Sequence, residues 1–171
     1  ISLTLSPTNE LICTCRDITE RKKQEQALER STALLQKVLD TIPVGVYWKN
    51  QNLEYVNCNK KFALTHGQNI PENLVGRNDF ELGFNSYYAS DKEAHERIVI
   101  NKEATSHEYF QQRVLPDGSG AWFQNTLVPL TNSDNQITDV LGVEVDITGM
   151  KKAQEELTQA LAKERELNEL K

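Results

Sequence analysis

The spacing of turns constrains this chain most. Three strand-length patterns follow one another: TSHEYFQQRVL (105–115), AWFQNTLVPL (121–130) and ITDVLGVEVDI (137–147). P-D-G-S-G separates the first two, with Pro presetting one turn dihedral and Gly tolerating positive φ. TNSDNQ, short and polar, separates the next pair. Strands joined this tightly pair antiparallel, because a parallel crossover needs about a dozen residues or more. Two shorter β-rich runs, VGVYWKN and LEYVN, lie upstream and meet at a polar Gln51-Asn52 turn, a hairpin signal.

Between these groups the pattern is helical and loop-rich. NCNKKFALTHG reads as a short helix with Asn57 as cap, Phe62 and Leu64 as apolar content and Gly67 as terminator. PENLVGRNDFELGF is a loop. SDKEAHERIVINKE reads as a second helix, capped by Ser90 or Asp91, with Ala94, Ile98 and Val99 or Ile100 facing inward. Helices grouped between two sets of strands cover one face of one sheet. The expectation is an α+β fold: a five-stranded antiparallel sheet with a helical cover.

Both flanks are different in kind. Residues 1–16 give two strand-like runs, ISLTL and LICTCR, about an SPTNE turn. From about Ile18 to Ile42 no Gly or Pro interrupts a charged helical pattern, and Leu28, Leu35 and Ile42 recur at coiled-coil spacing. Residues 150–171 form another charged helix, with Ala153, Ala160 and Leu167 on one row. Such polar helices are marginal alone, so a partner helix is expected.

One short motif occurs twice. RDITERKKQEQAL (16–28) and VDITGMKKAQEEL (145–157) align Asp17 with Asp146 and Thr19 with Thr148. Asp and Thr at a strand-to-helix joint accept hydrogen bonds from the helix's free N–H groups. The expected joint is Asp146, Ile147 and Thr148, mirrored by Asp17 and Thr19.

Four motifs in this order, YVN (55–57), LVGRNDFEL (74–82), LPDGSGAWF (115–123) and LGVEVDIT (141–148), resemble a PAS domain with its C-terminal PAC part. The resemblance covers Thr41 to Thr148. It implies that the repeated D-I-T ends one PAS domain and opens the helix to the next module. The implied layout is residues 1–19 as the end of an upstream PAS domain, 20–40 as a linker helix, 41–149 as a PAS domain and 150–171 as an exit signalling helix. ELNELK resembles the approach to the dimerisation helix of sensor histidine kinases, which implies a two-component parent. Diguanylate cyclase or chemoreceptor-type outputs, and a passive dimerising spacer, are the alternatives.

The resemblance also frames the ligand question. The flavin-photoreceptor subclass carries a Cys directly after G-R-N, whereas Asp79 stands there, and a carboxylate cannot replace the thiolate. Cys58 does not match that position. Haem would need an axial ligand such as His95, which reads instead as a solvated residue beside Glu93 and Glu96; His66 and His107 lie at a helix end and on a strand. Neither haem nor flavin is expected. A small-molecule pocket would draw on Tyr47, Phe62, Ile98, Phe110, Trp122 and Leu127, which equally serve as plain core.

Composition narrows the partners. A formal net charge of −6 argues against a nucleic-acid partner, since no basic face is available to neutralise phosphates. No apolar run approaches the ~20 residues that span a bilayer. Three cysteines (Cys13, Cys15, Cys58) make neither a disulfide framework nor a metal site, which suits a reducing cytoplasm. No phosphate loop, metal cluster or nucleophile–base pair marks an enzyme. The expected object is a regulatory, homodimeric module that works with neighbouring PAS and kinase domains.

Overall fold

The computed structural model describes residues 2–5, 11–14 and 19–169. The chain divides into two units, 1–38 and 39–171.

In the first unit, β1 (Ser2–Leu5) pairs antiparallel with β2 (Leu11–Thr14), Ser2 opposite Thr14. Residues 6–10, Cys15 and Asp17 lie outside the described residues. Helix α1 (Thr19–Thr41) carries most of its length here and buries no residue. Leu28, Leu34, Leu35 and Val38 are exposed along it.

The second unit holds the expected sheet. Its strands are β3 (Gly45–Asn50), β4 (Tyr55–Cys58), β5 (His107–Val114), β6 (Gly120–Thr131) and β7 (Ile137–Asp146), in spatial order β4-β3-β7-β6-β5. Every neighbouring pair is antiparallel. The last strand in sequence is therefore the central one. Helices α2 (Lys60–Thr65) and α3 (Ser86–Ile100), with a 3-10 turn at Pro71–Asn73, cover one face, and α4 (Thr148–Glu169) leaves from β7.

Two caps differ from the sequence reading. Asn59, rather than Asn57, caps α2: its Oδ1 accepts from Phe62 N and Val46 N, both at 2.9 Å, while its Nδ2 donates to Leu39 O and Val44 O. One buried amide thus ties the helix to the start of β3. Asn85 caps α3 by accepting from Tyr87 N and Tyr88 N, so the helix begins ahead of the expected Ser90 or Asp91. Tyr87–Ser90 continue the helix, and the acceptor lies just before them.

The longer α3 presents a different face. Tyr88, Ala89, Lys92, Glu96 and Val99 are buried, whereas Ala94 is exposed and Ile98 and Ile100 are half-buried. Beneath α3, an apolar cluster contains Tyr47, Phe62, Leu74, Val99, Leu127 and Val140. Tyr47 packs against Gly142 of β7, where an added Cβ would clash with the phenol end of the ring.

Candidate functional site

Strand alternation carries charge into the interior. Gly45, Tyr47 and Lys49 share the inner face of β3, and Val140, Gly142 and Glu144 share that of β7. Tyr109, Gln111 and Arg113 do so on β5, and Phe123, Asn125 and Leu127 on β6. Lys49, Lys92 and Glu96 are fully buried, and Asp79 and Glu144 retain 3% exposure each, which requires every charge to be partnered.

At one end Lys49 bonds both Asp79 and Glu96, the latter at 2.9 Å. Tyr47 donates to Glu96 at 2.8 Å and Tyr55 to Asp79 at 2.5 Å. Lys92 donates to Tyr55 Oη at 3.0 Å, with Glu144 at 3.6 Å and Asp79 at 3.9 Å. Its ammonium also lies 3.9 Å from the Tyr47 ring centroid.

At the other end Arg113 clamps Glu144 through both terminal nitrogens, at 3.1 and 2.8 Å, and donates to Tyr88 Oη at 2.9 Å. Its guanidinium carbon stands 3.6 Å from the Phe123 centroid. His66 Nε2 meets Glu144 at 3.1 Å. Lys49, Lys92 and Arg113 thus face Asp79, Glu96 and Glu144, and the formal charges of these six side chains cancel.

Burial alone would raise the Glu144 carboxyl, but Arg113, His66 and Lys92 outweigh it and hold it well below the ordinary range. Asp79 is likewise lowered by Lys92 and Lys49 against its burial. Burial wins at Lys92, which is lowered, and at Glu96, which is raised and so is the carboxylate of this network that takes a proton most readily. Burial also lowers His66 to about 4, against the pull of Glu144. His66 is therefore neutral at pH 7. Facing an ionised carboxylate, it carries its proton on Nε2 and leaves Nδ1 as an acceptor.

A cleft of about 360 Å³ opens at this second end, lined by His66, Phe84, Tyr88, Gln112, Arg113 and neighbouring residues. Arg113 Nε is buried without a partner, as are Tyr109 Oη, Gln111 Oε1 and Asn125 Nδ2 along the same inner face. Unpaired buried polar atoms are costly and infrequent in folded proteins.

Two residues on from Glu144, β7 ends at the joint. Asp146 Oδ1 accepts from Thr148 N at 2.9 Å, and Thr148 Oγ1 accepts from Trp122 N at 2.9 Å. Buried Ile147 donates its N–H to Trp122 O at 2.8 Å and accepts from Lys151 N at 2.9 Å. The Asp146 carboxyl is lowered: partial burial acts against this, but the hydrogen bonds from Thr148 outweigh it. Asp17 lies outside the described residues, and Thr19 is the first residue of α1.

The expected pocket residues divide between the two faces. Tyr47, Phe62 and Leu127 pack in the core, and Ile98 is half-buried outside that cluster. Phe110 is 59% exposed and Trp122 half-buried on the outer face, where Lys151 of α4 lies 5.7 and 5.6 Å from their ring centroids. Strand phase explains the correction: both alternate with inward residues, Phe110 with Tyr109 and Gln111, Trp122 with Ala121 and Phe123. His95 Nδ1 pairs with His107 Nε2 at 2.7 Å, and its ring stacks on Tyr109. Cys58 is buried, with its thiol pushed up to about 12 by that burial. Among the described residues no group of three metal-ligating side chains comes together, and no helix is long and apolar enough to cross a membrane.

Sequence reasoning missed the charged interior. Its signal was the phase of Lys49 with Tyr47, of Glu144 with Val140, and the four-residue spacing of Tyr88, Lys92 and Glu96. Asp79, noted for failing to be a cysteine, is an anchor of the network.

The comparisons agree with this architecture. Over 147 residues the chain is 26% identical to the uncharacterized protein y4lL of Sinorhizobium fredii, covering 84% of this chain and 17% of that protein. The fold is similar to that of the VqmA dimer of Vibrio cholerae (TM-score 0.61, 22% identity, 72% of this chain and 52% of that one). VqmA has also been solved bound to DPO, at a TM-score of 0.59 and 22% identity over 70% of this chain and 57% of that one. The PAS domain of Bordetella pertussis BvgS matches at 0.57, with 17% identity over 79% of this chain and 98% of that domain. These structural likenesses concern the fold alone. The chain spans about a sixth of y4lL and about half of VqmA. The family profile described as PAS fold matches residues 33–147, and the chain belongs to the PAS family.

Proposed function

We propose that this PAS domain is a sensory and signal-relay module, and that β7 is the relay. One observation carries the reading. Glu144, the hub of the second ion cluster, and Asp146, the cap of the exit joint, are two residues apart on the central strand. Their partners on β6 are Asn125 and Phe123, the latter beneath the Arg113 guanidinium. A change in how Glu144 is paired shifts β7 against β6, and Ile147 and Thr148 bond to Trp122 in that same strand. The direction of α4 follows. A coupling of ~1–3 kcal/mol suffices to bias a two-state output.

The module acts as a homodimer through its flanking helices. Leu28 and Leu35 on α1, and Met150, Leu157, Leu161 and Leu167 on α4, are exposed and wait for a partner helix. VqmA, similar in fold, forms a dimer. The parent protein is a cytoplasmic sensor histidine kinase, as ELNELK suggests, with a diguanylate cyclase as the alternative. The sequence expectation of no nucleic-acid partner is not carried forward to the whole protein, because target DNA is named for VqmA.

Spin labels on α4 test the relay. With Gln159→Cys labelled and the native cysteines replaced by alanine, the distance between copies is measured with and without Glu144→Gln. The expected result is a dimer whose distance distribution moves. A monomer sinks the dimer reading, and an unchanged distribution in a folded dimer sinks the relay.

A further inference from the structure

We infer that the cleft beside Arg113 binds a small, uncharged, planar ligand carrying an adjacent hydrogen-bond acceptor and donor, of the aromatic-amide class. The inference deepens the sensory reading above and rests on it.

Three observations define the class. Arg113 lines the cleft, and its Nε–H is buried without a partner. His66, on the same cleft, spends Nε2 on Glu144 and turns its remaining ring nitrogen into an acceptor. One unsatisfied donor and one acceptor match a carbonyl beside an N–H. The walls are aromatic: His66 stacks against Phe84 with centroids at 4.8 Å, and Phe84 and Tyr88 are 5.9 Å apart. Flat apolar surfaces of this kind hold a planar ring. The volume, about 360 Å³, suits a ligand of one or two rings.

Charge then decides among planar ligands. An arginine, a lysine and a histidine near a cleft suggest an anion at first sight. Here the Arg113 terminal nitrogens already clamp Glu144, Lys92 stands 3.6 Å from the same carboxylate, and His66 is neutral. An incoming carboxylate would approach Glu144 with no free cation to neutralise it. An incoming cation would meet the Arg113 guanidinium. An uncharged amide satisfies the orphaned donor without disturbing the balance of the six charges.

Benzamide, benzoate and benzamidinium have nearly one shape and differ in charge. Each is titrated into the intact chain at pH 7 while the side-chain Nε–H resonance of Arg113, assigned through Arg113→Lys, is followed by NMR. Benzamide is expected to shift that resonance and to bind about tenfold tighter than either ion, as the cost of an uncompensated charge requires. Phe84→Ala, on the cleft wall, should weaken it without unfolding the domain. Tighter binding of benzoate or benzamidinium, equal binding of all three, or binding of none overturns the inference. Spin labels on α4 separate the two claims: benzamide binding without movement of α4 keeps the site and rejects the relay. Benzoate binding with movement keeps the relay and rejects the ligand class.

Discussion

The covered face of the sheet sets paired charges among its apolar core, while the outer face carries large apolar side chains. Antiparallel sheets commonly turn an apolar face to the core and a polar one to water. Here the covered face of β3, β5, β6 and β7 carries Lys49, Gln111, Arg113, Asn125 and Glu144, whereas the outer face carries Trp48, Phe110, Trp122, Val128, Leu141 and Val143. Phe110 and Val114 are largely exposed there. An interior of paired ions gains little stability over apolar packing of the same volume. What it provides is an arrangement that depends on each partner being present, which is what a responsive interior requires. The outer face, by contrast, holds exposed positions such as Phe110 and Val114, where a single change removes little buried contact.

Breaking the inner face should therefore cost most. Glu144→Ala strips Arg113, His66 and Lys92 of their shared carboxylate and should destabilise the domain by ~3–5 kcal/mol in urea unfolding. A loss under ~1 kcal/mol would show that the cluster is solvated and the contrast between faces false.

The second test is acidity. Folding lowers His66 from 6.5 to about 4. Between those values the unfolded chain takes up a proton that the folded one refuses. Stability from this group is complete above pH 6.5 and is lost as pH falls toward 4, by a total of order 3 kcal/mol. Comparing urea midpoints of the wild type and His66→Gln across this window isolates the group, and the variant should have the flatter profile.

Gly142→Ala comes next. Its methyl must displace the Tyr47 ring, and a loss of ~1–3 kcal/mol is expected in thermal unfolding. Asp146→Ala, at the end of β7, removes only a cap and should cost ~1 kcal/mol while uncoupling α4 from the domain. The smallest effect belongs to the outer face. Phe110→Ser should change stability by no more than ~0.5 kcal/mol, because the ring is already 59% exposed. A larger loss would mean that this face is packed in the free domain.

What the sequence disclosed follows the same division. Turn chemistry at Pro116–Gly120 and alternation in the last three strands were legible because each depends on neighbours in the chain. The cap at the start of α4 was legible because Asp146 and Thr148 act within two residues of each other. The charged interior was hidden because its logic is tertiary. Lys92 and Glu96 look like a solvated helix face until Lys49, Asp79 and Glu144, distant in sequence, supply opposite charges. Phe110 and Trp122 misled for the converse reason: large aromatics suggest core, and only strand phase shows that they face outward.

Amide hydrogen exchange at the joint tests the central claim most directly. Ile147 N–H bonds to Trp122 O, and Lys151 N–H to Ile147 O. If β7 transmits the state of the interior, Glu144→Gln should speed exchange at these two amides well beyond the global loss of stability, and Phe110→Ser should leave them unchanged. Uniform acceleration across the domain in Glu144→Gln would contradict the account, leaving the buried charges as structural ballast without a path to α4.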